Sequence, residues 1–244
     1  MKKLINFLFY ILILNILISL LLVLDISSSR NNIQSDIVES LSNNDNYNLI
    51  VQILKDTSKE DFIRYIDYMQ LDIDKNIENA PNDYIAFTIR LPQNKAFIAF
   101  YIKNKDNTYS FDSIVDNLDN IDGFYFYKDF LIVAQSCEDK TTYSNDKKFI
   151  EVFYQQGLQY SSKLKKDLYL EKIDLEGSEK IIISGSMDFL DDYPPQILYI
   201  STISTNDSNC SKDISKELYT WDNDLRQFTM RQKESPIRTQ KKNF

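Results

Sequence analysis

The 244 residues hold 28 Lys and Arg against 36 Asp and Glu, for a formal net charge of −8, with no histidine, two cysteines and four glycines. The missing histidine excludes Ser-His-Asp and Cys-His nucleophile pairs and histidine-ligated zinc, and two cysteines cannot complete a zinc site of three or four thiolates. Gly123, Gly157, Gly177 and Gly185 stand too far apart to form G-x-G-x-x-G or a Walker-type loop.

At the amino end, Lys2 and Lys3 precede 21 uncharged residues, Leu4 to Leu24, of which 17 are Leu, Ile, Phe or Val. At ~1.5 Å per residue the run makes a helix of about 31 Å, which matches a hydrocarbon core of ~30 Å. A cleaved signal peptide has a shorter apolar stretch and a small-x-small cleavage site, whereas the only such site here, Ser27-Ser28-Ser29, follows the charged Asp25. The expectation is therefore an uncleaved transmembrane anchor over residues 1–24, with a secreted product after cleavage as the alternative. Lys2 and Lys3 lie before the span, and Asp25, Arg30, Asp36 and Glu39 lie after it. Because basic residues stay on the cytoplasmic side, the amino terminus is expected to be cytoplasmic and the bulk extracytoplasmic.

Residues 25–46 are rich in Ser, Asn and Asp and read as a tether, with a helical turn at Ile37 to Leu41. Residues 47–230 are expected to form one extracytoplasmic α+β domain. Tyr47, Ile50, Val51 and Leu54 fall at i, i+3, i+4 and i+7, one face of a helix. Thr57 with Glu60 is a capping-box pattern that opens a second helix with Phe62, Tyr65, Ile66 and Met69 on its face. Further helical turns are expected from Leu71 to Asn79, ended by Pro81.

From Tyr84 the pattern changes to short aromatic and β-branched runs. They read as strands at 84–91, 95–103, 108–111, 124–135, 148–154, 158–164, 167–175, 180–187, 196–204, 217–221 and 226–230. Polar turn residues separate them, and only Ser113 to Leu118 reads as a helix. The expectation is an antiparallel meander; a propeller-like or sandwich all-β arrangement is the alternative. Residues 231–244 read as a basic disordered tail.

Divided at Leu225, the chain has a body (residues 25–225) at −15 and a tail at +5. An acidic body repels phosphate, so nucleic acid is not an expected partner. Cys137 and Cys210 form a possible disulfide, consistent with an oxidising compartment. The densest acidic cluster, Asp188, Asp191 and Asp192, is read as a solvated loop between strands, since its spacing is not that of a calcium loop. Asp116, Asp119 and Asp122 are read as charges on one face of a solvated helix. The aromatic residues Phe97, Phe100, Tyr101 and Phe124 to Tyr127 are read as core packing, with a carbohydrate- or peptide-binding face as the alternative. Lys163, Lys165 and Lys166 read as an exposed, charged strand edge.

No catalytic, cofactor or metal residue is assigned. The leading expectation is a membrane-anchored, non-enzymatic domain that binds a protein or cell-envelope component. The alternatives are a hydrolase that uses paired carboxylates, or a secreted structural protein.

Overall fold

The computed structural model describes residues 32–34, 46–77, 80, 83–137, 147–173, 180–205 and 212–239. The expected membrane span, the turn at 37–41, Pro81 and Cys210 lie outside the described residues. Among those described, no helix is long and apolar enough to cross a membrane. Two compact units divide the chain: one holds residues up to Ile66 together with Tyr101–Phe111, and the other holds Asp67–Phe100 and Asp112–Phe244.

In the first unit, β1 (Ile33–Gln34) lies within the expected tether and pairs with Thr108 and Tyr109. Helix α1 (Tyr47–Asp56) buries Leu49, Ile50, Ile53, Leu54 and Asp56. Its apolar stripe is rotated from the expected one, leaving Tyr47 52% exposed. Thr57 ends this helix instead of opening the next: its hydroxyl donates to the Ile53 carbonyl at 2.7 Å, one of the acceptors that a helix end leaves unpaired. The second helix is a tighter 3-10 helix, Glu60–Tyr68, with Ile66 as its buried residue. Buried Asp56 accepts hydrogen bonds from Tyr101 Oη and Gln52 Nε2, each at 2.8 Å. The Tyr101 ring meets Phe111 edge-on at 5.6 Å.

The helical turns expected after Leu71 are a strand, β2 (Gln70–Asp74), antiparallel to β3 (Tyr84–Leu91). The period there is two, with Leu71 and Ile73 alternating with Asp72 and Asp74. β4 (Lys95–Lys103) and β5 (Thr108–Leu118) run through both units. β5 extends through the segment read as a helix at Ser113 to Leu118. Then follow β6 (Asn120–Tyr127), β7 (Phe130–Cys137), β8 (Lys147–Gln156), β9 (Gln159–Ile173), β10 (Lys180–Leu190), β11 (Gln196–Thr205), β12 (Lys212–Asp222) and β13 (Gln227–Thr239). The last strand carries pairing to Thr239, well into the expected disordered tail.

The described chain is thus mostly β. Each strand from β6 to β12 pairs antiparallel with its successor, as a meander requires. The meander is interrupted once. β5 does not continue into β6 but touches β9 through a single parallel bridge, Ile114 with Gln159, so the sheet is mixed. Its 13 strands are connected in one sheet, not grouped into the separate blades of the propeller-like alternative.

Within the second unit, β7 and β8 bury both faces. Leu131, Val133 and Phe153 join Ala86, Ile98 and Phe100 in one cluster. Phe130, Ile132, Ile150 and Val152 join Ile197, Tyr199, Tyr219, Trp221 and Phe228 in another. A middle layer needs apolar residues on consecutive positions, which explains why FLIVAQ shows no alternation.

Candidate functional site: an aromatic cleft at two hairpin turns

Two hairpins end side by side. Tyr127 pairs with Phe130 across the two-residue turn Lys128–Asp129, and Gln156 pairs with Gln159 across Gly157–Leu158. The favoured two-residue turns need positive φ at their first position, and Lys128 (φ 54°) and Gly157 (φ 65°) supply it. Asp83, leading into Tyr84, is also left-handed at φ 76°. For Lys128 and Asp83 this conformation costs on the order of 1 kcal/mol each, a kind of strain that concentrates around functional sites.

The three segments enclose a cleft of about 450 Å³. Tyr84, Phe126, Tyr154 and Tyr160 supply its rings, and Lys128, Asp129, Gln155 and Gly157 its polar lining. The volume is within the ~300–1,000 Å³ of small-molecule sites. Tyr160 is backed by Phe100, with ring centroids 5.7 Å apart, and by Phe126 at 6.5 Å. Tyr154 is backed by Trp221 at 5.1 Å and Phe130 at 5.8 Å. Both rings are therefore fixed from behind.

Asp112 organises the polar side. Its carboxylate accepts from Ser113 Oγ at 2.7 Å, from Gln155 Nε2 at 3.3 Å and from the Tyr84 hydroxyl. Gln155 Nε2 also reaches the Gly157 carbonyl at 3.1 Å, and its Oε1 faces the Tyr160 hydroxyl at 3.4 Å. Burial pushes the Tyr84 phenol above its ordinary pKa, and the Asp112 charge and hydrogen bond push it further. Burial, then the Asp112 charge, does the same to Tyr160, outweighing the hydrogen bond from Ser113. Both hydroxyls are neutral at physiological pH and keep the protons they donate to Asp112 and Gln155.

No protein family, characterised protein or solved structure matches the chain.

The acidic residues singled out in the sequence do not converge. Asp188 is exposed within β10 and so does not lie in the expected loop, whereas Asp191 and Asp192 are exposed beyond its end. Asp191 lies 2.9 Å from the Tyr127 hydroxyl and 4.0 Å from Lys128 Nζ. Asp116 is in strand β5, Asp119 pairs with Lys95, and Asp122 accepts from Ser136 Oγ at 2.9 Å. Among the described residues no group of three or more acidic or cysteine side chains is placed to hold a metal. Cys137 ends β7 half-buried, and its expected partner Cys210 is outside the described residues.

Of the aromatic runs, Phe97, Phe100 and Tyr101 are fully buried, and Phe126 alone of Phe124 to Tyr127 lines the cleft. The lysine strip is paired with β8 on one side, Glu151 facing Lys165 and Ile150 facing Lys166, and the ladder to β10 on the other side begins beyond it, at Tyr169. Lys165 lies 3.7 Å from Glu151 and 3.7 Å from the Phe149 ring centroid. Lys166 pairs with buried Glu217 at 2.6 Å; Glu217 also meets Lys233 at 3.1 Å and accepts from Tyr219 Oη at 2.7 Å. Burial pushes the Glu217 carboxyl up, but hydrogen bonds from Lys166, Tyr219 and Lys233 outweigh it and hold the pKa at about 2.

Tyr84, Asp112, Gln155 and Tyr160 were not read as a site. The usable signal was the pair of two-residue turns, Lys128–Asp129 and Gly157–Leu158, each flanked by aromatic residues.

Proposed function

We propose that the protein is a membrane-anchored extracytoplasmic domain that binds a cell-envelope component in the Tyr84–Tyr160 cleft and does no chemistry on it. The observation that carries this reading is the cleft itself: rigidly backed rings on one side and an ordered array of donors and acceptors on the other. The anchor is residues 4–24, and their apolar length with Lys2 and Lys3 before them supports that role. Binding is favoured over hydrolysis by the placing of the carboxylates. A glycosidase needs two facing the substrate, whereas Asp129 lines the cleft and Asp112 is engaged by Ser113, Gln155 and Tyr84. The acidic body favours a partner other than nucleic acid.

The test is capture of solubilised envelope material by the full chain, compared with a Tyr84→Ala variant of unchanged melting temperature. Capture by the native protein and its loss in the variant is the expected result. Equal capture by both would overturn the assignment of the cleft.

A further inference from the structure

Resting on that reading, we infer that the occupant of the cleft is a saccharide: a neutral, hydroxyl-rich ring stacked against Tyr154 and Tyr160 and held by Tyr84, Gln155 and Asp129.

The charges exclude an ionic ligand as the best fit. The two ionic lining residues, Lys128 and Asp129, cancel, and Lys128 Nζ has Asp191 at 4.0 Å as a second counter-charge. The third ion, Asp112, spends its oxygens on three donors. An ammonium or phosphate entering the cleft would give up its hydration without meeting an uncompensated opposite charge.

Purely apolar ligands fit no better. A lipid chain would desolvate the exposed charges of Lys128 and Asp129 and offer them nothing, and a charged group stranded in this way costs more than the about 1–3 kcal/mol of a neutral one. Peptides that add to sheets use the free main-chain edge of a strand. Here β3 lies between β2 and β4, and β8 between β7 and β9, so the strands that bring Tyr84 and Tyr154 have no edge to give; β6, paired among the described residues with β7 alone, contributes only Phe126.

A sugar meets each requirement at once. Its hydroxyls both donate and accept, matching a lining that does both: the phenol oxygens of Tyr84 and Tyr160, whose protons are given to Asp112 and Gln155, keep lone pairs that accept, Asp129 accepts and Lys128 donates. Its ring carries an apolar C–H face, which suits an aromatic surface. Tyr154 and Tyr160 present such surfaces at little entropic cost because core rings already hold them. The Asp112 cluster also sets the phenol oxygens before the ligand arrives.

The test uses the full chain in lipid nanodiscs, since sugar-headed detergents would compete. The probes are cellobiose, chitobiose, maltose and the host's own envelope polysaccharide released as oligomers, with tetramethylammonium and inorganic phosphate as ionic controls. Calorimetry and saturation-transfer NMR read binding. At least one neutral saccharide is expected to bind, with saturation on its ring C–H protons. Tyr84→Phe and Gln155→Ala, which keep the backbone and most of the packing, are each expected to weaken binding about tenfold, the equivalent of one hydrogen bond.

Saccharide binding unchanged in both variants would overturn the inference, as would tighter binding of either ionic control. If no saccharide binds but envelope capture still depends on Tyr84, the saccharide assignment falls and the binding reading stands. If capture is independent of Tyr84 as well, both fall.

Discussion

A methyl group at Gly185 has no space to occupy. Tyr199 lies across this position because its hydroxyl donates to the Asp167 carbonyl at 2.7 Å. A Cβ there would fall 2.7 Å from Tyr199 Oη and 2.8 Å from Cε2, and would also press on the Asp167 carbonyl. Gly185→Ala is therefore expected to lower stability by about 2–3 kcal/mol, the upper range for forced overpacking, read as a drop in the urea midpoint. Glu217 makes a second residue-scale prediction, this time in pH. Its folded pKa of about 2 lies below the ordinary 4.5. The stability it contributes is thus complete above pH ~5 and is lost as pH falls through 4.5 towards 2. Urea midpoints measured at pH 7 and pH 3 should diverge in the native protein, and Glu217→Gln should narrow the difference. An unchanged difference would show that other carboxylates set the acid sensitivity.

Among the elements, α1 ends on a buried carboxylate held by hydrogen bonds. Asp56, 5% exposed at the end of the helix, accepts from Tyr101 Oη and Gln52 Nε2. Tyr101→Phe keeps the ring against Phe111 and removes the hydroxyl, so the expected cost is about 1–3 kcal/mol, with early loss of amide protection in α1 by hydrogen exchange. The same segment shows where sequence reading succeeds and where it stops. β3 and β4 were legible to the residue, because YIAFTIRL and KAFIAFYIK are unbroken β-forming runs with turn residues on both sides. Thr57 was not, since a threonine three residues before a glutamate satisfies a start signal, while only the preceding turn reveals that its hydroxyl closes a helix. β9 was read as two strands, 158–164 and 167–175, on either side of Lys165 and Lys166. Their partners, Glu151 and Glu217, neutralise them in mid-strand and lie 14 and 51 residues away in the chain. The cleft failed for the same reason. Its aromatic character was visible, but Asp112 reaches Gln155 across 43 residues, and no local pattern announces that meeting.

At the scale of the whole molecule, the placement of the chain is the first thing to test. Protease added to intact cells is expected to digest residues 25–244, and protection that ends only on lysis would put them in the cytoplasm instead. The doubly buried hairpin of β7 and β8 bears on how the second unit closes. One of its faces is covered by β11, β12 and β13, which come last in the chain and bring Ile197, Trp221 and Phe228. Trp221 is the single tryptophan of the sequence, packed 4.8 Å from Phe130 and 5.1 Å from Tyr154. Tyr154 in turn lines the cleft. The chain thus carries its own optical reporter: one indole, in one environment, with a single ring between it and the cleft, so that its emission is expected to register the closing of the last layer, and any filling of the cleft, without a label.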